Sequence, residues 1–156
     1  MRTNLSPLRW LAVVVIAHLV VAMAHGGAHA GARIPMTLAA NLFIWIVILA
    51  GPLAGLWMSR SRPAAGGWVV AATMAGSLVF GIVNHFAIVS PDHVSHVATE
   101  WRTLFGVTAA LLVVTELAGV VAGITSARRP ARGFSESFAD RASRLDSRAT
   151  RRSLRS

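Results

Sequence analysis

The chain has 156 residues, of which 54% are hydrophobic and only 13% are charged. Soluble domains usually carry about a quarter charged residues, so the composition excludes an ordinary soluble protein and predicts one integral membrane domain. The absence of cysteine excludes disulfides, thiolate metal sites and cysteine nucleophiles. The net charge of +9 does not indicate a nucleic-acid partner, because the arginines flank apolar segments and crowd into the last thirty residues.

Four apolar runs are long enough to cross a hydrocarbon core, which takes about 20 helical residues. We expect them to be helices, because lipid leaves no water to satisfy open backbone groups. The fold class that follows is all-α, a polytopic four-helix bundle whose main partner is the lipid bilayer. The expected transmembrane domain covers residues 1–126, with spans at about 8–25, 35–58, 67–89 and 101–126, and an Arg-rich tail covers 127–156.

The first span has a second interpretation. Its basic start, its apolar middle and two Ala-x-Ala sites, at Ala22–Ala24 and Ala28–Ala30, also resemble a cleaved signal peptide. His18 within the apolar stretch is unusual for such a peptide. We therefore prefer the transmembrane interpretation.

Arginine counts predict the orientation of the four spans. Arginines concentrate before span one, between spans two and three, and after span four, and they are sparse in the other two connections. The positive-inside rule then predicts that both termini are cytoplasmic and that both histidine-bearing connections face outward. The basic residues are all arginine, which we take to be typical of a GC-rich bacterial genome, so the expected location is a bacterial inner membrane. The arginines expected at the membrane surface after span four are Arg128, Arg129 and Arg132.

The six histidines occur in only two stretches, residues 17–30 and 82–97. His18 and His25 are seven residues apart and share one helical face, and His29 follows in a glycine-rich segment that we expect to be a turn. In the second stretch, His85 lies about one turn inside the outer end of the third span, and Asp92 precedes two more histidines in the outer connection. Ionisable groups inside a membrane are costly, usually face the bundle interior and indicate function by default. The candidate ligands are His18, His25, His29, His85, Asp92, His93 and His96.

Imidazole is a general ligand for transition metals. The first hypothesis is a metal site near the outer face, with copper preferred and zinc second, serving metal handling or an accessory redox subunit. The second is a haem-b protein with His18 and His85 as axial ligands. The third is a non-catalytic subunit in which the histidines bond between helices. Because no catalytic motif stands out, we do not expect the chain to be an enzyme on its own; it would act with other membrane subunits or with a second copy.

Glu116 is the only acidic residue within a predicted span. We expect it either to be protonated and bonded to a neighbouring helix or to carry protons between the histidines and the cytoplasm. Asn41 and Asn84 are expected to bond between helices. Gly119 and Gly123 form a small-xxx-small pattern that favours close helix packing. The Arg-rich tail is expected to be disordered or to form an amphipathic helix on the membrane surface.

Overall fold

The computed structural model describes residues 6–128 and, within them, every regular element is a helix. Four long helices follow one another along the chain, and each is long and apolar enough to cross a membrane. Their bounds are α1 Pro7–Gly31, α2 Leu38–Met58, α3 Pro63–Ala87 and α4 Thr99–Ala127. The all-helical fold with four candidate spans is confirmed. The predictions for the tail, including those for Arg129 and Arg132, lie outside the described residues.

Short-range chemistry sets where the helices begin. The Ser6 side chain accepts a hydrogen bond from the Arg9 N–H and caps α1, and Pro7 occupies the first turn, where its missing N–H costs nothing. Thr37 caps α2 by accepting from the Ala40 N–H, so α2 begins after the predicted Pro35. Pro63 begins α3, four residues before the predicted start.

The largest difference from the predicted bounds is at the end of α1. The helix does not stop at His25 but continues through Gly26 and Gly27 to Gly31. The prediction of a glycine-rich turn at His29 is therefore wrong. Glycine weakens a helix by only about 1 kcal/mol per residue, and a long apolar helix that packs against its neighbours tolerates that cost.

Two helices contain a π-helical segment that the sequence analysis did not predict. In α2 the segment is Ile44–Ala50, which ends two residues before Pro52. Proline has no N–H, so the Ile48 carbonyl loses the partner that residue 52 would provide in an α-helix. In α3 the segment is Val83–Ala87, which ends the helix. Such segments are rare and occur frequently at functional sites.

Glycines allow the helices to approach closely at one end of the bundle. A Cβ placed on Gly67 of α3 would lie 2.6 Å from the carbonyl oxygen of Gly123 on α4, and the reverse distance is also 2.6 Å. Likewise, a Cβ on Gly55 of α2 would lie 2.8 Å from the backbone nitrogen of Val70. The backbones of α3 and α4 are thus in direct contact, as small-xxx-small spacing favours.

An apolar cluster fills the half of the bundle that contains the start of α1 and the end of α4, which we call the terminal end. Its buried members come from three helices and are Leu11, Val14, Val15, Val70, Met74 and Ala122. The opposite half, here the distal end, carries the connections 32–37 and 88–98. Ser59 and Ser126 are buried at the terminal end, but the buried histidine and glutamate side chains lie on the distal side of this apolar cluster. The buried titratable groups therefore place any chemistry on that side.

Candidate metal centre

Three histidines meet at the distal end of the bundle. His25 and His29 lie four residues apart on one face of α1, because the helix continues past the predicted turn. His85 reaches them from the π-helical segment of α3. One ring nitrogen from each lies within 4.8 Å of the other two. Phe105 of α4 packs against all three rings, with centroid distances of 4.7–5.2 Å. The three imidazoles therefore form a buried cluster that could hold a metal ion.

The partners of the Thr108 hydroxyl favour one tautomer of His25. Its Nδ1 lies 2.9 Å from the Thr108 hydroxyl oxygen. That hydroxyl donates its own hydrogen to the Leu104 carbonyl at 2.7 Å, so the oxygen is left to accept from His25. Nδ1 of His25 is consequently protonated in the neutral ring, and Nε2 presents a lone pair.

The partners of His85 fix its ring in the same way. Its Nδ1 donates to the backbone carbonyl of Asp92 at 3.1 Å and lies 3.3 Å from the carboxylate Oδ1 of the same residue. Both partners only accept, so Nε2 of His85 is the bare nitrogen. Metal-bound histidines nearly always donate their second nitrogen to a carbonyl or carboxylate in this manner.

These two bare nitrogens face each other, since Nε2 of His25 and Nε2 of His85 are 3.2 Å apart. Two lone pairs at this distance repel unless a cation lies between them. Zinc–nitrogen bonds of about 2.0–2.1 Å at a tetrahedral angle place two ligand nitrogens about 3.3 Å apart. The observed separation therefore fits two ligands of one ion.

His29 supplies the third nitrogen. Its Nε2 lies 3.2 Å from Oδ1 of Asp92, an ion-pair distance, although this oxygen has no partner with hydrogen-bond geometry. A carboxylate oxygen at this distance favours a proton on Nε2, which leaves Nδ1 with the lone pair. Nδ1 of His29 is buried and has no partner. One carboxylate thus lies against two of the three imidazoles, and the orphaned nitrogen is a free donor for a metal.

His18 lies outside this cluster and forms a hydrogen bond to the backbone of α2. It is fully buried, and its Nε2 donates to the Ile48 carbonyl at 3.1 Å, the group that Pro52 leaves without a partner. His18 therefore supplies the hydrogen bond that the proline removes. Nδ1 of His18 is buried without a partner, but Nε2, the usual haem ligand, is engaged, and Nε2 of His85 is directed at His25. The contacts therefore give no support to a haem held between His18 and His85.

The two outer histidines are also separate from the cluster. The connection that carries them is made of turns and is not helical. Their ring centroids are 5.9 Å apart. Nδ1 of His93 accepts from the Ser95 N–H at 3.2 Å, and Nδ1 of His96 donates to the Ser90 carbonyl at 2.8 Å. Among the described residues, neither ring joins the three-histidine group.

The other polar residues that the sequence singled out within the spans are Glu116, Asn84 and Asn41, and each has a different environment. Glu116 is buried in α4, and its Oε1 accepts from the Ser77 hydroxyl of α3, while its Oε2 has no partner. Asn84 donates to the Phe80 carbonyl at 2.8 Å within its own helix, so the structure does not show the expected bond between helices. Asn41 lines the cavity described next.

A cavity of about 550 Å³ extends from the histidine cluster into the bundle. Its polar lining includes the three clustered histidines at one end and Ser77 with Glu116 at the other, and its other walls are mainly apolar. Eight residues separate Thr108, which contacts His25, from Glu116, or about 12 Å along α4 at the helical rise. The cavity thus connects the histidine cluster with Glu116, which lies too far from it for direct contact.

No protein-family model, curated protein or solved structure matches this chain. The metal site is therefore inferred from the geometry of these side chains alone. Sequence reasoning found the three clustered histidines and Asp92 but missed Thr108 as the partner of His25. The sequence did contain a signal for Thr108, because this polar residue lies about two helical turns from Glu116 on the same helix.

Proposed function

We propose that this chain is a multi-pass membrane protein that binds one divalent transition metal ion through His25, His29 and His85. The observation that carries the proposal is the 3.2 Å separation of two ring nitrogens whose hydrogen-bond partners leave both of them unprotonated. The two lone pairs repel each other when no ion is bound, and both can coordinate a cation that lies between them. The buried, unpartnered Nδ1 of His29 supports a third ligand.

We place zinc first on the spacing of His25 and His85 alone. The three ring nitrogens lie within 4.8 Å of one another, so His29 moves inward to join either metal. The sequence placed copper first, because neutral imidazoles without thiolates suit oxidised copper. Square-planar copper would bring neighbouring nitrogens to about 2.8 Å at bond lengths near 2.0 Å, whereas a tetrahedral ion places them at about 3.3 Å. The observed 3.2 Å is nearer the tetrahedral value. Copper is retained as the second metal.

Three protein ligands leave a fourth position free, as in catalytic zinc sites, where the ion polarises a bound water or substrate. The site lies at the distal end, which the arginine distribution would place outside the cytoplasm. Beyond the cavity, the terminal end is packed by apolar side chains and by the Gly67–Gly123 backbone contact. This packing favours a retained ion over passage of the ion through one chain.

The test is the metal content of the purified full-length protein in detergent, after zinc loading and dialysis. We expect about one zinc per chain in the wild type, with three imidazoles in its X-ray absorption spectrum. His85→Gln should lose the ion, whereas the control His96→Gln, which changes a histidine outside the cluster, should keep it. Negligible zinc and copper in the wild type, or equal metal in both variants, would refute the site.

A further inference from the structure

We propose that the inner part of the cavity binds a lipophilic organic cation, with its charge against Glu116. The cavity is lined by the Glu116 and Ser77 side chains at this inner end. This site is separate from the metal centre and does not depend on it.

The first observation is the state of the carboxyl group. Glu116 is 98% buried, and no basic side chain among residues 6–128 forms an ion pair with it. Ser77 satisfies Oε1, but Oε2 remains without a partner. A buried polar atom without a partner costs about 1–3 kcal/mol. A ligand that satisfies Oε2 would recover this cost, and a cation would also favour the ionised carboxylate.

The second observation is the lining of the cavity around this carboxyl. Apolar side chains and two aromatic rings, Trp45 of α2 and Phe80 of α3, line its walls. Aromatic faces attract cations, most strongly where water is excluded. The whole cavity, including its histidine end, has a volume of about 550 Å³, which lies within the range of small-molecule sites, about 300–1,000 Å³.

The position of the cavity indicates how such a ligand would reach it. The lining includes Met23 of α1 and Trp45 of α2, both of which are largely exposed on the bundle surface. α2 packs mainly on α3 and only slightly on α1, so the cavity opens between α1 and α2. If the helices cross a membrane, this surface faces acyl chains, where lipophilic cations partition. Arg33 and the histidines line the distal part of the same cavity. At the inner end, the carboxylate, the aromatic rings and the apolar walls favour a hydrophobic cation over a neutral lipid.

The experiment measures tetraphenylphosphonium binding to the full-length, zinc-free protein in a non-ionic detergent by isothermal titration calorimetry. Tetraphenylsilane, which has the same four rings but neither a charge nor a hydrogen-bond acceptor, is the neutral comparator. We expect saturable binding of the cation and at least about tenfold weaker binding of the neutral compound. Glu116→Gln keeps the size of the side chain and should weaken cation binding about thirtyfold or more. Glu100→Gln removes the same charge from the exposed start of α4 and should leave binding unchanged.

Helical circular dichroism and size-exclusion elution of Glu116→Gln in detergent serve as the check on folding, so that this check does not depend on the metal centre. If Glu116→Gln does not fold, the comparison of charged and neutral probes on the wild type still decides the proposal. Absence of saturable binding, equal affinity for the two probes, or full affinity in a folded Glu116→Gln variant would each overturn it. None of these results would bear on the metal centre, which is tested by metal content alone.

Discussion

Replacing Asp92 by asparagine tests how the carboxylate supports the proposed metal centre. Oδ1 of Asp92 lies 3.2 Å from His29 and 3.3 Å from His85, so one group orients and polarises two imidazoles. Asparagine keeps the shape but removes the charge. His85 retains the backbone carbonyl at 3.1 Å, so the loss of the negative charge falls mainly on His29, whose Nε2 lies 3.2 Å from Oδ1. Loss of such an outer partner typically costs about 10- to 100-fold in metal affinity. We expect the lower part of that range, about 1.4–2 kcal/mol.

The assay is competition for zinc between the detergent-solubilised protein and a chromophoric chelator at neutral pH. Glu100→Gln is the matched control, because it removes one negative charge from an exposed position on α4 and should leave zinc affinity within twofold. Unchanged affinity in Asp92→Asn would show that the carboxylate does not support the ligands. An equal loss in both variants would show that only net charge matters, and it would refute the argument from geometry.

The remaining predictions concern the helix contacts. Gly123→Ala should destabilise the bundle by about 1–3 kcal/mol, because the added methyl group meets backbone atoms of α3. The control Gly106→Ala places its methyl group in open space and should leave the stability unchanged. Thermal unfolding in detergent compares the two variants. His18→Leu should cost about 1–3 kcal/mol by leaving the Ile48 carbonyl unsatisfied. Pro52→Ala restores an N–H that can reach this carbonyl, so the His18→Leu cost should shrink in that background. Additive costs in the double variant would contradict the assigned partnership.

Much of the site was visible in the sequence, because membrane proteins restrict where polar groups occur. His25, His29 and His85 stood out as imidazoles at the ends of apolar runs, and all three belong to the cluster. His18 stood out for the same reason, but its partner is a carbonyl freed by a proline thirty-four residues later in the chain. Sequence spacing could not distinguish a histidine of the cluster from one that bonds to a backbone carbonyl. In both roles the buried imidazole has a polar partner, so both are compatible with an apolar helix.

The end of α1 shows why local signals were insufficient. Gly26 and Gly27 argue for a turn, and their open surroundings show that no contact requires them to be glycine. The helix nevertheless continues, and the added turn brings His29 onto the face of His25. Each glycine lowers helix stability by about 1 kcal/mol, and the packing of a longer helix against its neighbours contributes more stability than this.

The sequence by itself determined four apolar helices, their approximate bounds and the concentration of imidazoles toward one end of the bundle. These follow from hydrophobicity and charge, which act residue by residue and leave a pattern along the chain. Only the tertiary structure decided which histidines meet, which nitrogen of each is bare, and that a cavity joins them to Glu116. Those properties depend on helix rotation and on hydrogen bonds between residues as far apart as His25 and Thr108, and no local pattern encodes them.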